Sequence, residues 1–161
     1  MKYFLVITAL LICSTIKAEE KQIASPDGKI VVTISDKNGQ PSYRINYKDT
    51  PFINSSSLGL ITNIGDFSRE MSLEHDVQSN RIDETYIKQS NVHYVATEGV
   101  YRFSQQGKMI YDVIFRVSDR DVAFKYKMYP QKNTLSCIVK EEATSFVLPD
   151  GSTTFLCPQS K

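Results

Sequence analysis

The residue types that most often carry chemistry are scarce in this chain: two His, three Cys and no Trp. His75 and His93 stand 93 − 75 = 18 residues apart. Neither sits in an HxxxH or HExxH pattern, so the spacing defines no metal site. Asp83-Glu84 and Glu141-Glu142 are adjacent carboxylates. Glycoside hydrolysis needs two carboxyl groups about 5–10 Å apart across the scissile bond. Neighbouring residues of a strand point to opposite faces, so neither pair supplies that geometry alone. Solvated loop charges account for both. The chain has no Gly-rich phosphate loop, no GxSxG elbow and no CxxC. Nine Tyr could cover the C–H face of a sugar, but most fall at alternating positions where packing is the default.

The first 18 residues read as a leader. Lys2 precedes an apolar run from Tyr3 to Cys13, and Ser14 to Ala18 forms a short polar exit ending in a small residue. That is the anatomy of a secretory signal, with cleavage after Ala18. A membrane-spanning helix needs about 20 apolar residues, more than this run provides. A lipid anchor on Cys13 is the alternative, and Leu11 and Ile12 before it are bulky for that processing. The domain is then 19–161, exported to the periplasm or beyond. Its charge becomes 17 − 18 = −1 once Lys2 and Lys17 are removed. So even a balance offers nothing to nucleic acid. Cys137 and Cys157 stay with the domain in an oxidising compartment. A bridge between them would close a loop of about 20 residues and add roughly 3 kcal/mol. Two small buried thiols satisfy the same pattern.

Everything that positions these residues reads as strand. Ile30, Val32 and Ile34 alternate, and Tyr43, Ile45 and Tyr47 answer them across Asp36-Lys37-Asn38-Gly39, whose Asn-Gly step is a strong hairpin signal. Ser25-Pro26-Asp27-Gly28 is a turn before the first of them. Residues 54–69 are looser, and Met71 and Leu73 begin a further short strand. Val92–Ala96 and Val100–Phe103 flank Glu98-Gly99. Gln106-Gly107 turns the chain into Met109–Val117, and Ser118-Asp119-Arg120-Asp121 turns it again. Val122, Phe124, Tyr126 and Met128 then alternate against Lys125 and Lys127. Leu135–Val139, Phe146–Leu148 and Thr153–Cys157 close the series. About ten short strands with frequent turns and no helical period predict an all-β, antiparallel sandwich or barrel.

Several segments resemble the N-terminal domain of glycoside hydrolase family 97, exported α-glucosidases and α-galactosidases. They are Ser25-Pro26-Asp27-Gly28, Ser57-Leu58-Gly59-Leu60, Asp83-Glu84-Thr85-Tyr86, Ile114-Phe115-Arg116-Val117-Ser118-Asp119, Val122-Ala123-Phe124-Lys125-Tyr126 and Glu141-Glu142-Ala143-Thr144-Ser145-Phe146. Their order matches the family over about residues 23–160. The resemblance implies an antiparallel β-sandwich of the galactose-mutarotase-like type, incomplete here, placed before a (β/α)8 catalytic barrel. In the family the catalytic groups and a calcium ion lie mainly in and around that barrel. A barrel takes about 250 residues. The resemblance therefore carries no catalytic, cofactor or metal residue onto this chain, and it implies the barrel as partner, with carbohydrate as ligand. Asp83, Glu84 and Tyr86 match a family segment and are candidates for an interface or a sugar contact. Two functions follow: the non-catalytic accessory sandwich of a truncated glycosidase, or a free-standing exported module that binds sugar or another surface.

Overall fold

The computed structural model describes residues 20–74, 78–86, 92–131 and 136–153. The leader read at 1–18, His75 and Cys157 lie outside them. Two antiparallel sheets face each other. The first has the order β1-β2-β3-β4 (Glu20–Ala24, Ile30–Ser35, Ser42–Tyr47, Thr50–Ser57). β5 (Leu60–Thr62) leads from it to the second. There β6 (Ser72–Leu73) and β7 (Gln78–Tyr86) share one edge of β8 (Val92–Gln105), with β9 (Lys108–Ser118) and β10 (Val122–Met128) following on the other side. β11 (Val139–Glu142) pairs with β5 in a small separate sheet.

The alternation decides which residues meet between the sheets. Val32, Ile34, Tyr43 and Ile45 from one sheet join Tyr101, Phe103, Tyr111, Val113, Phe115 and Val117 from the other in one buried cluster. Rings make the junction, with Tyr43 5.8 Å from Phe115 and 5.6 Å from Phe124, centroid to centroid.

Tight turns fix the register. Asn38 (φ 57°) and Gly39 (φ 72°) take left-handed conformations, and the Gln40 N–H donates to Lys37 C=O at 3.1 Å. The two left-handed residues lie within a six-residue connection between Ser35 and Ser42, the last registered pair of the hairpin. Gln106-Gly107 has positive φ at both positions too. So has Lys48-Asp49 (47° and 64°), a turn the sequence hides because Lys48 is not a usual left-handed former and no glycine follows it.

The structure revises several boundaries. Glu98-Gly99 lies inside the continuous strand β8. A Cβ on Gly99 would sit 2.9 Å from Ile23 Cδ1 on the facing sheet and 2.9 Å from the buried Tyr101 ring. The glycine is there for close packing, not for a turn. Asp83 and Glu84 lie on β7 and Glu141 and Glu142 on β11, so both pairs are strand residues rather than loop residues. β7 was illegible because its sequence, QSNRIDETY, does not alternate. Of the strand expected at Leu135–Val139, residues 136–138 are irregular and Val139 opens β11, while Leu135 lies outside the described residues. Residues 146–148 form no regular strand. They belong to a strap, 143–148, laid along β4, with Asn54 N–H to Val147 C=O at 2.8 Å and Ser145 N–H to Ser57 C=O at 3.1 Å.

Two substitutions test this account. Gly99→Ala loses about 1–3 kcal/mol of stability by overpacking, more than the roughly 0.5–1 kcal/mol alanine otherwise gains in a strand; urea unfolding reads the difference. Asp49→Gly relieves a left-handed residue and raises the melting temperature by a few degrees, about 0.5–1 kcal/mol.

Candidate functional site

β8 runs further than β9. β9 ends at Ser118 opposite Ala96, while β8 continues back to Val92 paired with Tyr86 of β7. Residues 83–86 and 92–95 therefore form a two-stranded ribbon beyond the third strand. The family-matched segment Asp83-Glu84-Thr85-Tyr86 lies on it. Asp83 and His93 are brought together across the ribbon, His93 Nε2 to Asp83 Oδ1 at 2.6 Å, with Arg81 Nη2 3.4 Å from the other carboxylate oxygen. The His93 hydrogen bond, helped by Arg81, holds the Asp83 carboxyl below its ordinary value. All three side chains are more than half exposed. The pair thus orients the ribbon rather than forming an enclosed acid–base site.

The remaining carboxylates do not converge on it. Glu141 and Glu142 are exposed on β11, opposite Ile61 and Leu60 of β5, in a different sheet from Asp83 and Glu84. Among the described residues no group of three or more His, Cys, Asp or Glu is arranged to hold a metal. Cys137 is half-buried with its Sγ 3.4 Å from Met128 Sδ; its expected bridge partner, Cys157, falls outside the described residues.

A concave site lies at the open side of the sandwich. A cleft of about 400 Å³ is walled by Ile30, Ile45, Tyr47, Phe52, Val122 and Phe146. The turn Asp119-Arg120-Asp121 forms its rim. That turn is fixed by Ser118, whose Oγ accepts the N–H groups of Arg120 and Asp121 at 3.1 and 3.0 Å. One oxygen of each rim carboxylate is occupied: Asp119 Oδ1 accepts Asp27 N–H at 2.9 Å, and Asp121 Oδ1 accepts the Tyr94 hydroxyl at 3.2 Å. Phe52 is 63% and Phe146 65% exposed, a large value for two phenylalanines on one cleft. Leu148 continues the apolar strip past Phe52. The cleft can hold an apolar face, and its two carboxylates, Asp119 and Asp121, sit on one rim turn. Sequence reasoning missed Phe52, which lies on a strand whose polar residues hide the alternation. It found residue 146 but not its exposure.

Residues 23–161 match the glycosyl-hydrolase 97 N-terminal family, and the chain belongs to it. Among solved structures it is similar to a β-arabinopyranosidase, at 40% identity and TM-score 0.79 over 88% of this chain and 23% of that one. It is also similar to a glycoside hydrolase family 97 enzyme from Pseudoalteromonas sp. strain K8. The complex of that enzyme with acarbose aligns at 26% identity and TM-score 0.74, over 81% of this chain and 20% of the other. A variant of the same enzyme in complex with panose gives the same values. The chain thus spans about a fifth to a quarter of the length of these structures. None of the curated proteins compared with it matches. No helix among the described residues is long and apolar enough to cross a membrane.

The ribbon pair has a pH signature. Carboxyl-detected NMR should show Asp83 titrating below the ordinary aspartate range, and His93→Ala should move it back up. A depressed folded-state value means that whatever stability the pair adds is present above the unfolded aspartate pKa and is lost as pH falls through the folded one. An unmoved Asp83 in His93→Ala would contradict the assignment.

Proposed function

We propose that this chain is the non-catalytic N-terminal sandwich of an exported glycan-degrading glycosidase, an accessory domain held against a catalytic domain. The observation that carries the reading is the contrast at the surface. Two phenylalanines and a leucine stand exposed beside one cleft, while the acidic pairs are dispersed over separate strands. An exposed apolar strip with scattered carboxylates is the signature of a contact surface, not of an acid–base centre. In this reading the catalytic carboxylates and calcium belong to the catalytic domain. The identity to a β-arabinopyranosidase supports a pyranoside as the substrate of the whole enzyme. β-L-Arabinopyranosides share the ring configuration of α-D-galactopyranosides and lack only the exocyclic hydroxymethyl group, so the two substrate classes are chemically close.

A second reading, a free-standing sugar-binding module, draws on Tyr47, 45% exposed at the same cleft, whose volume suits a monosaccharide. One set of measurements separates the two. Purified 19–161 is mixed with aryl α-galactoside, α-glucoside and β-L-arabinopyranoside, with and without calcium. No turnover is expected under any condition. Turnover that disappears in Asp83→Asn, Glu84→Gln, Glu141→Gln or Glu142→Gln would overturn the accessory reading. Saturable millimolar binding of free galactose or arabinose, lost in Tyr47→Ala, would favour the module.

A further inference from the structure

Val113, Phe115 and Val117 of β9 face the core, so Asp112, Ile114 and Arg116 share the outer face of the second sheet. Its charges lie in register. Arg116 stands opposite Glu98 of β8 and Ala123 of β10. Asp112 stands opposite Arg102 of β8 and Lys127 of β10. Between these rows runs a third, Val100, Ile114 and Lys125. Each carboxylate is taken up by an arginine. Arg116 Nε and Nη2 donate to Glu98 Oε2 at 3.1 and 2.7 Å, and Arg102 Nε donates to Asp112 Oδ1 at 3.0 Å. Arg102, Arg116, Lys125 and Lys127 against Glu98 and Asp112 leave 4 − 2 = +2 on this face. The whole of 19–161 carries only 17 − 18 = −1.

Lysines on an outer strand also discourage edge pairing, so the charge excess alone assigns nothing. Its surroundings do. Ala123 places a methyl group where its neighbours on the face, Arg116 and Lys125, place long side chains. The result is a notch of about 220 Å³ lined by Glu98, Ile114, Arg116, Ala123, Phe124 and Lys125. Ala123 and Lys125 are exposed, while Ile114 and Arg116 are half-buried. An apolar floor between two cations, with one carboxylate at the wall, matches an acidic sugar ring. The C–H face of the ring lies on Ile114 and Ala123, its hydroxyls donate to Glu98, and its acidic group accepts from Lys125 and Arg116. Lys127, also exposed, lies two residues along β10, about 7 Å away, within reach of the next unit of the same chain. A lipid surface fits less well. A bilayer is entered by exposed apolar side chains, and Val100 and Ile114 in the middle of this face are half-buried.

We propose that this face is a binding surface for an acidic polysaccharide, a glycan chain bearing carboxylate or sulfate groups. One ring sits in the notch with its acidic group on Lys125 and Arg116, and a further acidic group of the chain meets Lys127. The surface lies apart from the apolar cleft and involves none of the exposed rings there. It serves an accessory domain and a free-standing module alike. Glycan affinity tests it, and turnover of aryl glycosides tests the accessory reading, so the two fail separately.

The purified chain is titrated by calorimetry with an oligogalacturonate and with a neutral galacto-oligosaccharide of the same length, at low ionic strength. The acidic oligomer should bind in roughly the millimolar range and weaken as salt is added; the neutral one should not bind. Lys125→Gln with Lys127→Gln should cut the affinity about tenfold, the scale of two exposed charge pairs. Ala123→Leu fills the notch and leaves every charge in place. It should weaken binding comparably, and it serves as the test if the glutamine pair does not fold. Lys125→Arg with Lys127→Arg should keep the affinity. No binding of the oligogalacturonate, or equal binding of the neutral oligomer, would overturn the proposal. So would an affinity unchanged in the glutamine pair or in Ala123→Leu, or equally tight binding of poly-glutamate or of phosphatidylglycerol vesicles.

Discussion

Everything in this sandwich depends on the rings that join its two sheets. Tyr43 from the first sheet packs on Phe115 and Phe124 of the second. Phe115 in turn touches Tyr101 (6.0 Å), and Tyr126 meets Tyr111 edge-on at 5.3 Å. Such pairs add about 0.5–1.5 kcal/mol each beyond the area they bury. Three of the tyrosines also carry hydroxyls that must find partners once buried. Tyr43 donates to Ser145 C=O at 3.0 Å and Tyr111 to Phe67 C=O at 3.2 Å, while Tyr126 accepts from Gly59 N–H at 2.9 Å. Burial pushes the Tyr43 phenol up to about 12 and raises Tyr111 and Tyr126 as well, so all three stay protonated over the range in which proteins work.

Those hydroxyls explain how irregular segments are held without helices. Residues 57–67 and the strap at 143–148 have little regular structure between them. They are pinned from below by tyrosines anchored in the core. Tyr126 is the clearest case: its ring belongs to the cluster, and its oxygen also lies 2.8 Å from Thr144 Oγ1. The strap is thereby fixed over β4, and Phe146, only two residues further on, is left at the surface with one face against Phe124 at 6.3 Å. The exposed ring follows from where the strap is tied.

The fold was legible where alternation and turn chemistry agree. Ile30, Val32 and Ile34, the Asn38-Gly39 turn and the run from Val122 to Met128 each carry both signals, and all stand as read. The failures share a physical cause. None of the described side chains of β7 is buried, so no core face imposes alternation on it. β4 shows one face to the core through Ile53 and spends the rest of its length on serines and an exposed phenylalanine. Gly99 looks like punctuation but answers to Ile23, a residue 76 positions away on the facing sheet. The candidate site was less legible than the fold. Asp83 was visible as a charged residue, yet its contact with His93 depends on the β7–β8 register, and the cleft joins residues from five separate segments that only the folded chain assembles.

The polar features divide by face, and that division bears on function. Inside, tyrosine hydroxyls tie the core to the strap and to the 57–67 segment. Outside, the second sheet sets Arg102 against Asp112 and Glu98 against Arg116 at 2.7 Å, cross-strand pairs that satisfy each other. Asp112 is so placed that the Tyr129 hydroxyl also donates to it at 2.6 Å. Both of its oxygens are engaged by a guanidinium and a phenol. Asp112 and Glu98 are thus engaged in cross-strand pairing. What the surface exposes beside the cleft is a strip of rings, Phe52 and Phe146. Exposed apolar strips of that kind mark contact surfaces, which is the ground on which the accessory-domain proposal stands.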